Sequence, residues 1–373
     1  MTVQVFTAQY EDAGFISQMK YLFCLFGIFL SAGSFFLFKR HNIVFSYELR
    51  KVLQIVIVFG IISLYFIVST SQFTSRTLYE LFFLAIPAIY TFFLLNVVEF
   101  KDLNHVMFIL LCISLVGYFF SLHMSATEIL SAISSINFTD SFSLLESSSF
   151  AGISMSLVLY YLFYRNNKVG VALSLLFVMF TFKRLAVVTA LILFFVPLIV
   201  DCTKPVNRHI VCLTKILLFL SAVLYFITMT PEMSSYLFSH FNFDLNQFTM
   251  SRSDRFLLIY QNPNFINDGL GSVYTYMMNH FGFSLEMDAA SFILEVTPVG
   301  LAFFINNLID ISKRNWYEFV VMIYLILNMI TSHSIASMFA WLLTYLAIGS
   351  ISYLNSNGVQ PLRLRANDEV TGA

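Results

Sequence analysis

The chain has 373 residues, a mean hydropathy of +0.80, 58% apolar side chains and only 11% charged ones. A soluble domain carries roughly a quarter charged residues, so this composition excludes a soluble globular protein. The net charge of −1 argues against a nucleic-acid partner, which needs a basic face. The four cysteines form no CxxC pair, and no His/Cys cluster has zinc spacing, so neither a metal nor another cofactor is expected.

A spanning helix needs about 20 mostly apolar residues. About eleven runs approach that length, near 21–38, 52–70, 78–98, 106–122, 149–164, 169–182, 185–200, 209–229, 291–307, 319–334 and 335–354. They predict an all-α, polytopic integral membrane protein built as one domain over residues 1–373. The first run is followed by Lys39 and Arg40 with no small-residue cleavage site, and reads as a retained anchor. The sixth and seventh runs are short. At about 1.5 Å per residue they barely cross a bilayer core, so the Lys183-Arg184 turn between them is expected to dip toward the membrane.

Orientation follows from Lys and Arg. With Lys39, Arg40, Arg50 and Lys51 placed in the cytoplasm, alternation leaves only Lys20, Arg76, Lys183, Arg184, Arg252 and Arg255 outside, against fourteen basic residues inside. The N-terminus then lies outside and the C-terminus inside. Two long connections, 123–148 and 230–290, fall outside, and long loops usually carry function. Cytoplasmic loops are short, and no phosphate-binding glycine loop is present.

The segment from Met250 to Tyr260 is the most informative. Ser251 reads as a helix N-cap, and Pro263 lies just past the expected end. Arg252 and Arg255 sit three apart on one helix face, a fork suited to phosphate oxygens. They could equally pair with Asp254 or anchor at lipid headgroups. Gly269 and Gly271 allow a tight turn near a ligand, or mark an ordinary loop. Asp288 falls at the outer surface and Glu295 about two turns inside it. A carboxylate at membrane depth is a functional candidate, unless it pairs with a buried arginine. His280 is a candidate base or sugar contact. Glu146 enters the fifth run, where a helix dipole alone would favour it. Lys183 and Arg184 either snorkel to headgroups or hold an anionic lipid head. Together these residues suit a lipid-linked anionic substrate: a carboxylate could activate a sugar hydroxyl, and arginines could stabilise a departing pyrophosphate.

Several stretches resemble the Wzy-type O-antigen polymerases within the O-antigen ligase/polymerase superfamily. Glu146-Ser147-Ser148-Ser149-Phe150-Ala151 resembles a Glu-Pro-Ser helix start, with Ser147 where Pro is usual. Ser251-Arg252-Ser253-Asp254-Arg255, with Gly269-Leu270-Gly271 downstream, resembles the outer-loop arginine segment. Asp288 through Gly300, and Thr181 through Ala186 with Lys183-Arg184, resemble the family's acidic and basic helix starts. The likeness covers roughly residues 140–305.

This resemblance implies a GT-C-like, metal-independent glycosyltransferase of the bacterial inner membrane. It would join oligosaccharide repeat units from undecaprenyl-pyrophosphate-linked donor and acceptor on the periplasmic face. A chain-length co-polymerase would be its protein partner. The resemblance assigns Arg252, Arg255 and Arg184 to the pyrophosphate, with Lys183 beside them, and Asp288, Glu146 or Glu295 to acid/base work, His280 remaining a further candidate. The chain departs from the ligase pattern, which has a His where Asp288-Ala289 stands. An O-antigen ligase, a peptidoglycan polymerase of the SEDS kind and a lipid-linked oligosaccharide flippase are the alternatives.

Overall fold

The computed structural model describes residues 14–356 apart from 38–42, 126, 130, 132–144, 166, 203, 334 and 336. Lys39, Arg40 and most of the 123–148 connection therefore lie outside the described residues. The chain is helical, with no strand among the described residues. In order come α1 (Gly14–Leu37), α2 (Ser46–Thr70), α3 (Arg76–Val97), α4 (Phe100–Ser121), α5 (Ser148–Tyr164), α6 (Lys168–Phe180), α7 (Arg184–Phe195) and α8 (Arg208–Thr228). They are followed by α9 (Pro231–Phe241), α10 (Leu245–Phe248), α11 (Arg252–Tyr260), α12 (Ser272–Phe281), α13 (Asp288–Ser312), α14 (Trp316–Thr331) and α15 (Met338–Ser356).

Each of the eleven apolar runs falls on one of these helices. Six (α1, α2, α3, α4, α8 and α13) are long and apolar enough to cross a membrane, while α5, α6, α7, α14 and α15 are shorter. The two classes differ in what covers them. The long α2 and α8 turn Ile57, Ile61, Leu213 and Leu217 outward, the pattern of a lipid-facing stripe. The short α5 is buried from Phe150 through Tyr164. It is apolar all round because it is enclosed all round, chiefly by α15 and α6. Small residues let it approach: a Cβ on Gly152 would stand 3.3 Å from that of Ala340, and Ser156 and Thr344 hydroxyls meet at 2.7 Å.

Two features shape the end of the bundle where α13 begins. Pro298 lies inside α13, and Thr297 before it leaves helical geometry at φ 67°, so the helix is kinked there. Without a Pro N–H, the carbonyls at the kink need other donors. The Asn267 side-chain amide supplies them, reaching Leu294 O at 2.7 Å and Glu295 O at 3.1 Å. The second feature is the 230–290 segment, which is a packed structure rather than an open loop. Its helices α10–α12 close over their own small core of Leu245, Phe256, Ile259, Val273 and Met277, sealed against Met287 and Ala290.

Candidate functional site

At that end of the bundle a cleft is lined by Glu80, Glu286, Asp288, Glu295 and His333, with the Leu270-Gly271 turn and Tyr274 forming one wall. The space is about 30 Å³, enough for a water molecule but not a sugar. A substrate therefore has to approach from the open side.

Asp288 and His333 form its centre. Asp288 opens α13, and its carboxylate meets His333 Nδ1 at 2.5 Å and accepts the Ile335 N–H at 2.8 Å. His333 sits in the break between α14 and α15. With Nδ1 turned to Asp288, Nε2 is the nitrogen left to exchange a proton with a ligand. Burial alone would lower the imidazole, but the Asp288 carboxylate and its hydrogen bond, aided by Glu80, raise it to about 9. The apolar stretches 319–334 and 335–354 abut in the sequence, and that boundary puts this histidine at the end of a span. The polar interruption Thr331-Ser332-His333 was the available signal.

Arginines flank the cleft on both sides. On one, Glu286 binds Arg255 at 3.0 Å and Arg252 at 3.7 Å. The two guanidiniums do share a face of α11, as their spacing required. Asp254 is not their partner: it accepts from Asn246. Arg255 also donates to Ser284 O and stands 4.9 Å over the Phe283 ring. Ser251 takes the N-cap position but makes no side-chain cap, having φ 63°. Thr249 Oγ1 receives the Ser253 N–H instead. On the other flank, Arg76 at the start of α3 binds Glu80 one turn on, with Nε at 2.7 Å, and lies 3.7 Å over the Tyr274 ring. Arg76 and Glu80 were not among the sequence candidates, although their i,i+4 spacing is visible in the chain.

The remaining candidates take other places. Lys183 is buried. Its ammonium reaches Glu146 at 3.0 Å, Ser148 Oγ at 3.1 Å and Ser332 Oγ at 3.0 Å. An ammonium has three donors, and three protein oxygens take them, so Lys183 ties α5 to the α14–α15 break rather than snorkelling to a headgroup. Glu146 is correspondingly an ion-pair partner, not a bare dipole charge. Arg184 is exposed at the start of α7 and does not line the cleft. Glu295 lines the cleft but has no arginine. It accepts the Val273 N–H at 2.9 Å and so caps the start of α12 from a neighbouring helix. His280 stacks on Tyr276 at 4.2 Å, bonds Tyr276 O within its own helix, and is exposed away from the cleft. Gly269 and Gly271 have φ 105° and 87°. A Cβ on Gly269 would strike Ser63 of α2 at 2.7 Å, and one on Gly271 would strike Arg76 Cγ at 2.7 Å. The glycines thus let the turn press against α2 and α3, placing Gly271 in the wall behind Arg76.

Among the described residues no group of three His, Cys, Asp or Glu side chains is arranged to hold a metal ion. Comparison with protein-family models, with curated proteins and with solved structures gives no match.

Proposed function

We propose that the protein polymerises lipid-carrier-linked oligosaccharide repeat units, by metal-independent glycosyl transfer at the Asp288–His333 cleft. The observation that carries this reading is the cleft's charge order: a carboxylate–imidazole pair in the middle, with arginine–glutamate pairs on both flanks.

In this reading His333 Nε2 takes the proton of an acceptor sugar hydroxyl, held in the correct tautomer by Asp288. The freed oxygen attacks the anomeric carbon of the donor glycan. The bond from that carbon to the carrier phosphate breaks, and the pyrophosphate leaves with both electrons. Arg255 and Arg252 meet its charge by exchanging Glu286 for phosphate oxygens. The eleven apolar helices are then eleven spans of a GT-C-like bundle in a bacterial inner membrane, with the cleft, α9–α12 and the N-terminus on the periplasmic side. The carrier is undecaprenyl pyrophosphate, and a chain-length co-polymerase is a partner.

Replacing Arg255 by Ala tests the reading. The variant is expected to insert normally and to leave surface glycan at one repeat unit per anchor. Unchanged long-chain ladders would overturn the role of Arg255. Long polymer stranded on the carrier would instead indicate the ligase. The transporter reading has one observation in its favour, namely the buried, unpartnered polar atoms of Glu318 and Asn328 inside α14. Elongation of lipid-linked repeats by purified protein in detergent excludes it.

A further inference from the structure

A groove of about 750 Å³ runs between α1 and α3 and is closed at its back by Met338, the first residue of α15. Its walls are hydrocarbon: Leu25 and Ile28 from α1, and Phe82, Ile86 and Ile89 from α3. Among the described residues that line it, one is charged, Arg76. From Arg76 to Ile89 the wall extends about 20 Å along the helix axis, some two thirds of a bilayer's apolar thickness of about 30 Å. An elongated apolar channel with a cation at one end matches a single hydrocarbon chain carrying an anionic head.

Arg76 also belongs to the cleft. Its guanidinium holds Glu80 and covers Tyr274, and both of these line the space around Asp288 and His333. Groove and cleft therefore share one wall. Lys20 lies at the same end, its ammonium 5.0 Å from the ring of Tyr21, which lines the groove. Lys20 and Arg76 together outnumber Glu80, so this end attracts an anion. Arg252 and Arg255 approach the cleft from its other side, through Glu286.

We infer that the α1–α3 groove is a second lipid site, holding the hydrocarbon chain of a phosphorylated lipid whose head lies at Arg76 and Lys20, across Asp288 from Arg252 and Arg255. The binding claim rests on the groove and its cation. That the bound lipid carries one of the two glycan substrates rests on the polymerase reading.

The test uses the full chain in detergent or nanodiscs, a prenyl phosphate bearing a diazirine in its chain, and the matching neutral prenol. After irradiation, peptides are mapped by mass spectrometry. Label is expected on the Leu25–Ile28 and Phe82–Ile89 stretches. The phosphate should outcompete the alcohol there about tenfold, as one charge-assisted contact provides. Leu25→Trp, at a side chain already 40% exposed, should block labelling of both stretches while labelling of α2 and α8 persists. Ile86→Trp is the second filling variant, and Arg76→Gln should abolish the preference for phosphate. Label spread evenly over all lipid-facing helices, or equal capture of alcohol and phosphate, would overturn the site. Because labelling requires no turnover, a labelled groove in a protein that cannot extend glycans would overturn the polymerase reading alone. Wild-type polymerisation by an unlabelled Leu25→Trp protein would overturn the groove's part in it.

Discussion

The two ends of α13 handle charge in opposite ways. At its C-terminal end Asp310 accepts from Lys51, Lys215 and Lys313 at 3.2, 2.9 and 3.0 Å. Beside it Glu48 of α2 is held by Arg314 and Ser352. One carboxylate satisfies three cations and ties α2, α8 and α13 together. At the N-terminal end four carboxylates surround one imidazole, and the arginines on either flank are already shared with Glu286 and Glu80. The first arrangement is a mesh of ion pairs in which cations outnumber carboxylates. The second sets carboxylates and arginines around a titratable group with an opening to reach it, the arrangement expected where stability has been traded for chemistry.

The largest effect that would break this contrast is at His333. His333→Ala is expected to lower glycan transfer by about 10²–10⁴-fold, the usual worth of a positioned general base, and to reduce the surface ladder to single repeats. The protein should still insert, because His333 lies between helices rather than in the enclosed core. Asp310→Ala should do the reverse. It strands three lysines and should cost about 3 kcal/mol of stability, read as a lower unfolding midpoint in detergent, with activity per folded molecule unchanged. If Asp310→Ala abolished transfer without loss of stability, the two ends would not differ in the way argued.

A smaller effect is expected at the Gly-Leu-Gly turn. Gly271→Ala keeps φ 87° but adds a Cβ against Arg76 Cγ. An L-residue held there costs about 1–3 kcal/mol. Displacing Arg76 should also lower transfer, so both readouts should fall together. Gly282→Ala is the control. It shares the positive φ but has nothing within 4 Å of the added atom, so it should lose stability alone.

Much of this arrangement was legible in the chain, and the remainder has physical reasons for being hidden. Hydropathy located all eleven apolar helices because lipid-facing and enclosed helices alike must be apolar. The spacing of Arg252 and Arg255 placed them on one face because a helix fixes that relation locally. Partners are different. Glu286 replaced Asp254 as their counter-ion because the chain folds back after α12, which no local period encodes. His333 joins Asp288 across 45 residues through a break of only a few positions. Two apolar runs that abut at 334/335 leave no visible gap for it. Lys183 looked like a surface cation because it begins a helix, yet the fold buries it under Ser332 and Glu146.

The subtlest expected effect concerns pH and bears on what His333 does. Its folded value of about 9 stands above the ordinary 6.5, so the folded protein holds this proton more tightly than the unfolded chain. The stability this contributes is fully present below pH 6.5 and is lost as pH rises through about 9. The unfolding midpoint should fall across that window, and in Asp288→Asn, which removes the main cause of the shift, that part of the fall should vanish. Catalysis should move the opposite way in wild type. A general base works in its unprotonated form, so transfer should rise from pH 6.5 toward 9. Asp288→Asn should lower the plateau and bring the rise to lower pH by about one unit or more, since a neutral amide no longer holds the proton on the ring. A wild-type profile that falls through the same window would make His333 the proton donor and leave the base among the neighbouring carboxylates.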